Sequence, residues 1–197
     1  MNGVNSVSGL NGVSVPELET ERLILRGHTV ADFEDSAAMW ADPEVTRFIG
    51  GKPSTREEVW QRLLRYGGMW PLLGFGYWVA RERSSGRFVG EVGLADFHRE
   101  LVPSFGDTPE AGWALATWAS GRGFATEALR AVLAWADVQS QPATVASGRT
   151  VCMITPGNER SVRVAEKCGY RRMADAEFKG KPTTVFERHR PGAKRRS

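Results

Sequence analysis

Hydrophobic and polar residues alternate over residues 20–26 (Thr-Glu-Arg-Leu-Ile-Leu-Arg), which predicts a first strand. The period then changes. Phe33, Ala37 and Trp40 recur at helical spacing over 32–40, and Asp42-Pro43 stops that helix. A second helix starts from a Ser54 or Thr55 cap, carries Glu57 and Glu58 in its first turn, and is expected to end at Gly67-Gly68. Residues 76–81 and 87–94 read as a strand pair joined by Ser84-Ser85-Gly86. Alternation sets Val89, Glu91 and Gly93 on one face of the second strand and Phe88, Val92 and Leu94 on the other. A polar loop over 96–109, broken by Pro103 and Gly106, leads into a further strand at 110–115. After a central helix, 150–154 reads as a strand, 156–169 as a helix bounded by Pro156-Gly157-Asn158 and Gly169, and 170–175 with 183–187 as a closing hairpin around Gly180 and Pro182. Periodicity alone therefore gives an α/β protein with a mixed sheet.

Between the strand at 110–115 and the central helix lies Ala119-Ser120-Gly121-Arg122-Gly123-Phe124-Ala125-Thr126-Glu127-Ala128. Gly121 and Gly123 tolerate positive φ, so successive backbone N–H groups can turn toward one centre. Ala125, Leu129, Val132, Leu133 and Ala136 then form an apolar stripe, which starts a helix at about Phe124. Its N-terminus adds unpaired N–H groups and positive dipole character, and the whole makes a phosphate site without a dedicated lysine. The alternative is a tight strand-to-helix turn and nothing more. A nucleotide P-loop would need Gly-Lys-Ser/Thr, and a dinucleotide fingerprint a third glycine and a later acid; both are missing.

A chain of 197 residues, 41% hydrophobic, suits one domain with a sizeable core. Residues 1–16, rich in Asn, Gly, Ser and Val, read as a disordered leader without the features of a signal peptide, 17–190 as the domain, and 191–197 as a basic disordered tail. The formal charge of +3 is concentrated at the end: setting aside Arg188, Arg190, Lys194, Arg195 and Arg196 leaves −2. Neither a nucleic-acid partner nor a membrane is expected from such a body. Cys152 and Cys168 have no metal spacing, read as small core residues and fit a reducing cytoplasm. His28, His98 and His189 form no constellation and are expected at the surface.

The glycine loop resembles the pyrophosphate loop of the GCN5-related N-acetyltransferases (GNAT), Gln/Arg-x-x-Gly-x-Gly/Ala, with Ser120, Gly123 and Ala125 at the defined positions and Ser120 departing from the usual Gln or Arg. Gly-Phe-Ala-Thr-Glu-Ala is similar to the branch that contains the ribosomal-protein acetyltransferases RimJ and RimL. Asn158-x-x-Ser161 followed by Glu166-Lys167-x-Gly169-Tyr170 is similar to the second motif of the family. The two motifs stand in the family's order, and the resemblance covers roughly 19–188. It implies a mixed, mostly antiparallel sheet of seven strands with a central parallel pair that splays apart, flanked by about four helices. It also implies acetyl-CoA as co-substrate, no metal, and an amine acceptor; a homodimer is left open.

For the site, the resemblance implies that backbone N–H groups around Trp113, Ala114 and Leu115 hold the acetyl carbonyl and pantetheine arm, that Ser120, Gly121, Arg122, Gly123, Phe124, Ala125 and Thr126 hold the pyrophosphate, and that Asn158 binds the pantetheine amides. Asn158 reads equally well as a helix N-cap. The resemblance also implies that the two helices after the first strand cover the acceptor, with Val45, Arg47, Phe48, Trp60 and Trp70 in or beside them as substrate contacts or as core and lid packing. Acetyl transfer needs a neutral amine, a polarised carbonyl and a proton for the departing thiolate. Glu110 is the first choice of base, since a bulge at its strand start can turn it into the cleft, and Glu91 the second; either can equally be a charge that guards a sheet edge. Ala165 stands where many relatives carry a tyrosine acid. Ser161, one turn earlier, is the remaining hydroxyl for the CoA sulfur, or else part of the helix start. The missing tyrosine and Ser120 keep a second reading open, a non-catalytic acyl-CoA-binding or sensory domain. The acceptor itself, a protein N-terminal α-amine or a small-molecule amine such as an antibiotic or polyamine, is undecided.

Overall fold

The computed structural model of the protein describes residues 14–102 and 104–192, so Pro103, most of the leader and the last five residues of the tail lie outside the described residues. One sheet of eight strands runs through it in the order β1-β2-β3-β4-β5-β6-β8-β7. The strands are β1 (Leu18–Glu19), β2 (Leu23–Arg26), β3 (Tyr77–Glu82), β4 (Phe88–Ala95), β5 (Glu110–Leu115), β6 (Arg149–Ile154), β7 (Arg171–Phe178) and β8 (Lys181–His189). Only β5 and β6 are parallel neighbours. The helices are α1 (Phe33–Trp40), α2 (Pro43–Thr46), α3 (Arg56–Leu73), α4 (Phe124–Asp137), α5 (Ala143–Ala146) and α6 (Glu159–Lys167). Among the described residues no helix is long and apolar enough to cross a membrane.

The expectation of seven strands falls short by β1, a two-residue strand paired to β2 as Leu18↔Leu25 and Glu19↔Ile24. Two residues are too few for alternation to register. Just before it, Val15 packs against the core and Trp78 Nε1 donates to the Pro16 carbonyl at 2.7 Å. The predicted stop at Gly67-Gly68 is also overturned, because α3 runs on through both glycines and Pro71 to Gly74, whose φ of +74° ends it. Each glycine costs about 1 kcal/mol relative to alanine, but burying Tyr66, Met69 and Trp70 on the same helix returns roughly 1.5–3 kcal/mol apiece. Trp70 joins a T-shaped cluster with Trp78 and Trp135, at centroid distances of 4.6 and 5.5 Å.

In β4 the expected faces are partly wrong. Val89 packs with Val92 and Leu94 against α4, whereas Phe88 packs with Ala37, Trp40 and Val59 on the other side. The register against β3 shifts between Ala80 and Arg81, and this bulge reverses the alternation at the strand's start. The sheet order also removes one reading of Glu91 and Glu110: both sit in central strands, so neither guards an edge.

Near the start of α1, Asp32 is fully buried and accepts from Arg26 (2.8 and 2.7 Å), Arg81 (2.8 Å) and the Thr29 N–H (2.9 Å). Burial alone would raise its pKa, but the arginine and Thr29 donors outweigh it and hold the carboxyl well below the usual range. A folded-state value below the unfolded one means that ionised Asp32 stabilises the protein above the unfolded carboxylate range and that this contribution fades as pH falls toward the folded value. Asp32→Asn is expected to lower stability at pH 7 by about 2 kcal/mol, by urea denaturation, with the deficit narrowing in acid. A deficit independent of pH would assign the loss to packing instead.

Candidate active site

The parallel pair opens almost at once. β5 and β6 share the register position Glu110↔Val151, with the Val151 N–H donating to the Pro109 carbonyl at 3.0 Å. On its other side β5 pairs continuously with β4, from Ala95↔Glu110 to Gly90↔Leu115, and the Ala116 N–H continues that ladder to the Val89 carbonyl at 2.9 Å. The period of two along a strand then turns the backbone groups of Trp113 and Leu115 away from β4 and into the gap where β6 has departed. Polar backbone facing an opening between two strands is a site for an extended amide-bearing chain.

At the end of β5 the chain makes a short 3-10 turn and enters α4 at Phe124 as expected. Gly121 and Gly123 hold φ of +79° and +83°, the conformation that turns this loop's N–H groups onto the helix N-terminus. A residue far upstream braces the loop: Arg22 Nη1 donates to the Arg122 carbonyl at 3.0 Å, and its Nε to Glu127 Oε2 at 2.7 Å. Thr20 Oγ1 and the Arg22 N–H also donate to Glu127, at 2.6 and 2.9 Å. Burial works to raise the Glu127 pKa, and these donors outweigh it and lower it, so the carboxylate stays ionised in the first turn of α4.

A cavity of about 740 Å³ lies over this loop, lined by Ser120, Gly121, Gly123, Ala125 and Thr126, by Trp113, Ala114 and Leu115 of β5, and by Asn158 and Ser161. These sequence-predicted residues are thus brought together. Arg122 and Phe124 are not among its lining: Arg122 lies over the Trp118 and Phe124 rings, and Phe124 is buried in the core. Arg160, Arg163 and Lys167, which sequence reasoning missed, line it from one side of α6. Their i, i+3, i+7 spacing was the available signal. Arg160 Nη1 lies 3.3 Å from Ser120 Oγ, so a cation from α6 stands beside the position where the family pattern has Gln or Arg. Asn158 caps α6, its Oδ1 accepting from the Ser161 N–H at 3.2 Å.

A second cavity, of about 550 Å³, lies on the other side of the gap. Phe48, Ile49, Trp113, Ala114, Asn158 and Ser161 line both, and so form the neck between them. Phe48 is held there by Thr155 Oγ1, which donates to its carbonyl at 2.9 Å. Of the other suggested lid residues, Val45 and Arg47 line the first cavity, Trp70 is core, and Trp60 packs edge-on to Phe33 at 5.4 Å.

Glu110 lines the second cavity and is nearly buried, without the bulge expected at its strand. Both its oxygens are engaged by Arg99, Nη2 to Oε1 at 2.8 Å and Nε to Oε2. Arg99 comes from the 96–109 loop, where nothing in the sequence marked it. Glu91 lines neither cavity. It is buried behind β4, accepting from Ser36 Oγ at 2.7 Å and Trp40 Nε1 at 2.9 Å, with His28 Nε2 3.7 Å away. Burial pushes its pKa up, but His28, Ser36 and Trp40 together prevail and lower it. His28 is therefore not at the surface: its side chain is 1% exposed, and its ring lies 5.0 Å from that of Tyr66. Tyr66 and Tyr77 stack at 4.4 Å and line the second cavity. Burial, reinforced by nearby negative charge, pushes Tyr66 up to about 12 and Tyr77 well above its ordinary value, so both hydroxyls stay protonated. The Tyr77 hydroxyl lies against Gly112 of β5, where an added Cβ would stand 1.9 Å from it. Among the described residues no group of three or more His, Cys, Asp and Glu side chains is placed to hold a metal.

The comparisons with known proteins agree on one family. The family model described as the acetyltransferase (GNAT) domain matches residues 22–171. The chain belongs to the GNAT acetyltransferase family. It is 31% identical over 180 residues to the Bacillus subtilis protein YkkB, described as uncharacterized, spanning 87% of this chain and 95% of YkkB. A solved structure of the GnaT family from Bordetella pertussis is similar with a TM-score of 0.75 and 34% identity, over 88% of this chain and 99% of that one. An acetyltransferase from Agrobacterium tumefaciens gives a TM-score of 0.74 and 28% identity, over 89% and 95%. This family consists of acyltransferases, and the fold of this chain is theirs.

Proposed function

We propose that the protein transfers the acetyl group of acetyl-CoA to a primary amine by direct attack. The observation that carries this reading is the neck: two cavities, one over the helix N-terminus and one beyond it, meet where Trp113 of β5 and Ser161 of α6 line both. In this reading the first cavity takes the cofactor, with its pyrophosphate on the Gly121–Gly123 loop and its remaining phosphate, on the ribose, toward Arg160, Arg163 and Lys167. Pantetheine lies along β5, its amides on the inward backbone of Trp113 and Leu115 and on Asn158. The thioester then arrives at the neck.

From the second cavity the neutral amine attacks the thioester carbonyl, a C–N bond forms, and the tetrahedral intermediate collapses by breaking the C–S bond. The proton lost by nitrogen goes to Glu110 directly or through water, for which one oxygen must leave Arg99; the departing thiolate accepts a hydrogen bond from Ser161, which orients it, and takes its proton from water. Glu91 is engaged by three neighbours and away from both cavities, which supports a positioning part for it at most.

The test is CoA release by purified protein on a panel of amines: amino-terminal peptides, free amino acids, polyamines and aminoglycosides. Saturable release with at least one acceptor is expected. Tight acetyl-CoA binding without release on any of them would turn the reading to an acyl-CoA sensor. Protein N-terminal α-amines, with pKa near 8, need the least help from a base that is already ion-paired, and this favours them within the proposed class.

A further inference from the structure

We infer that the acceptor is an amine that also carries an anionic group, a carboxylate or phosphate close to the reacting nitrogen. This deepens the acetyltransferase reading and rests on it. The second cavity is lined by Arg62, Arg65, Arg99, Lys179 and Lys181, against one carboxylate, Glu110, which Arg99 already neutralises. The cations arrive from three separate parts of the chain, α3, the 96–109 loop and the β7–β8 turn, so no single helix face or solvated run accounts for them. Among the described residues neither Arg62 nor Arg65 has a carboxylate within salt-bridge distance, and Lys181 makes only a long contact to the Gly50 carbonyl, at 3.5 Å.

Arg62 supplies the independent observation. Its guanidinium lies 3.8 Å from the centroid of the Trp40 ring, and its Nε is buried without a hydrogen-bond partner. Arg62 as a whole is only part-buried and lines the cavity, so its remaining guanidinium donors, which have no carboxylate partner, are available to an anion there. A cationic acceptor meets the opposite situation. A polyamine or aminoglycoside would bring several positive charges into a wall of guanidinium and ammonium groups with no free carboxylate to receive them. The volume of about 550 Å³ suits a small amino acid or the first few residues of a peptide. A free amino acid supplies the carboxylate from its own α-carbon, and a peptide supplies it only where the side chains next to its N-terminus are acidic.

The test uses the full chain with acetyl-CoA and matched acceptors: glutamic acid α-amide against glutaminamide, with free glutamate beside them, peptides opening Ala-Glu-Glu against Ala-Gln-Gln and Ala-Lys-Lys, and spermidine. Higher kcat/KM for the acidic member, by about tenfold or more and eroding with added salt, is expected, and the free amino acid against the peptide distinguishes the sources. Lys181→Glu and Arg65→Glu should each raise KM for the acidic acceptor about tenfold, narrow the preference against the lysine peptide and leave acetyl-CoA affinity unchanged. Neutral or cationic acceptors used as well as acidic ones would overturn the inference while leaving the acetyltransferase reading intact. Should no acceptor release CoA, calorimetry with the acetylated peptides in the presence of CoA still decides it: binding of N-acetyl-Ala-Glu-Glu that Lys181→Glu removes supports it, and equal or stronger binding of N-acetyl-Ala-Lys-Lys, or no binding by either, overturns it.

Discussion

Gly123→Val is expected to abolish acetyl-CoA binding at working concentrations, raising the dissociation constant by about 10³-fold while the chain remains folded. Gly123 is the N-cap of α4 with φ of +83°, and a β-branched residue is a genuine outlier there. The substitution forces the loop toward negative φ, which rotates the peptide N–H groups away from the phosphate centre. The added Cβ also meets Arg22 Nη2 at 3.4 Å, the side chain that braces the loop through the Arg122 carbonyl. Two failures therefore coincide, lost N–H donors and a disturbed brace, and each charge-assisted hydrogen bond to phosphate is worth roughly 1.5–3 kcal/mol. Gly121→Ala, with open space around its Cβ position, should cost less. Calorimetric titration with acetyl-CoA, beside thermal unfolding to check the fold, measures both. A folded Gly123→Val protein that keeps its affinity would remove the pyrophosphate from this loop.

The same loop shows what could be read from sequence and why. The α4 start, the hairpins and the order of elements depend on neighbours a few residues apart, and the turn residues and apolar stripe carry that information locally. The errors fall where distant contacts decide. Gly67-Gly68 looked like a stop, yet Tyr66 and Trp70 on either side are buried by β3 and by Trp135 on α4, contacts that no local pattern contains. The bulge beside Ala80 inverted the faces at the start of β4, because one unpaired residue resets alternation and leaves no mark in composition. His28 looked solitary; it becomes buried only when β4 brings Glu91 beside it and α3 brings Tyr66.

For the site the division is the same. Much of the first cavity was legible because its predicted lining clusters in two contiguous motifs. The second cavity was not, since Arg62, Arg99 and Lys181 are separated by whole elements and converge only in the fold. Arg99 matters most among them, because it changes what Glu110 can do: a carboxylate that looked like an unencumbered base is half of a bidentate ion pair.

That pair gives the second large effect. Glu110→Gln preserves shape and leaves the first cavity untouched, since Glu110 lines only the second. With an acceptor of high pKa it is expected to lower kcat/KM by roughly 10²–10³-fold near neutral pH, in the range of a lost general base. The deficit should shrink as pH rises, because more of the acceptor then arrives already neutral, and it should be smaller for an α-amine of pKa near 8 than for an alkyl amine near 10. Arg99→Ala separates the two parts of the pair. If the ion pair merely holds the loop, Arg99→Ala and Glu110→Gln should lose stability together and share one flat pH profile. If Glu110 takes the proton, only Glu110→Gln should change the pH dependence, while Arg99→Ala chiefly raises KM. Glu91→Gln is the control on the neighbouring strand: its carboxylate is held ionised by His28, Ser36 and Trp40, so removing the charge should cost stability near neutral pH, a cost that fades in acid as the wild-type group itself becomes protonated. A steep pH-dependent rate defect in Glu91→Gln with none in Glu110→Gln would move the base to β4, and full activity in both would leave proton removal to water.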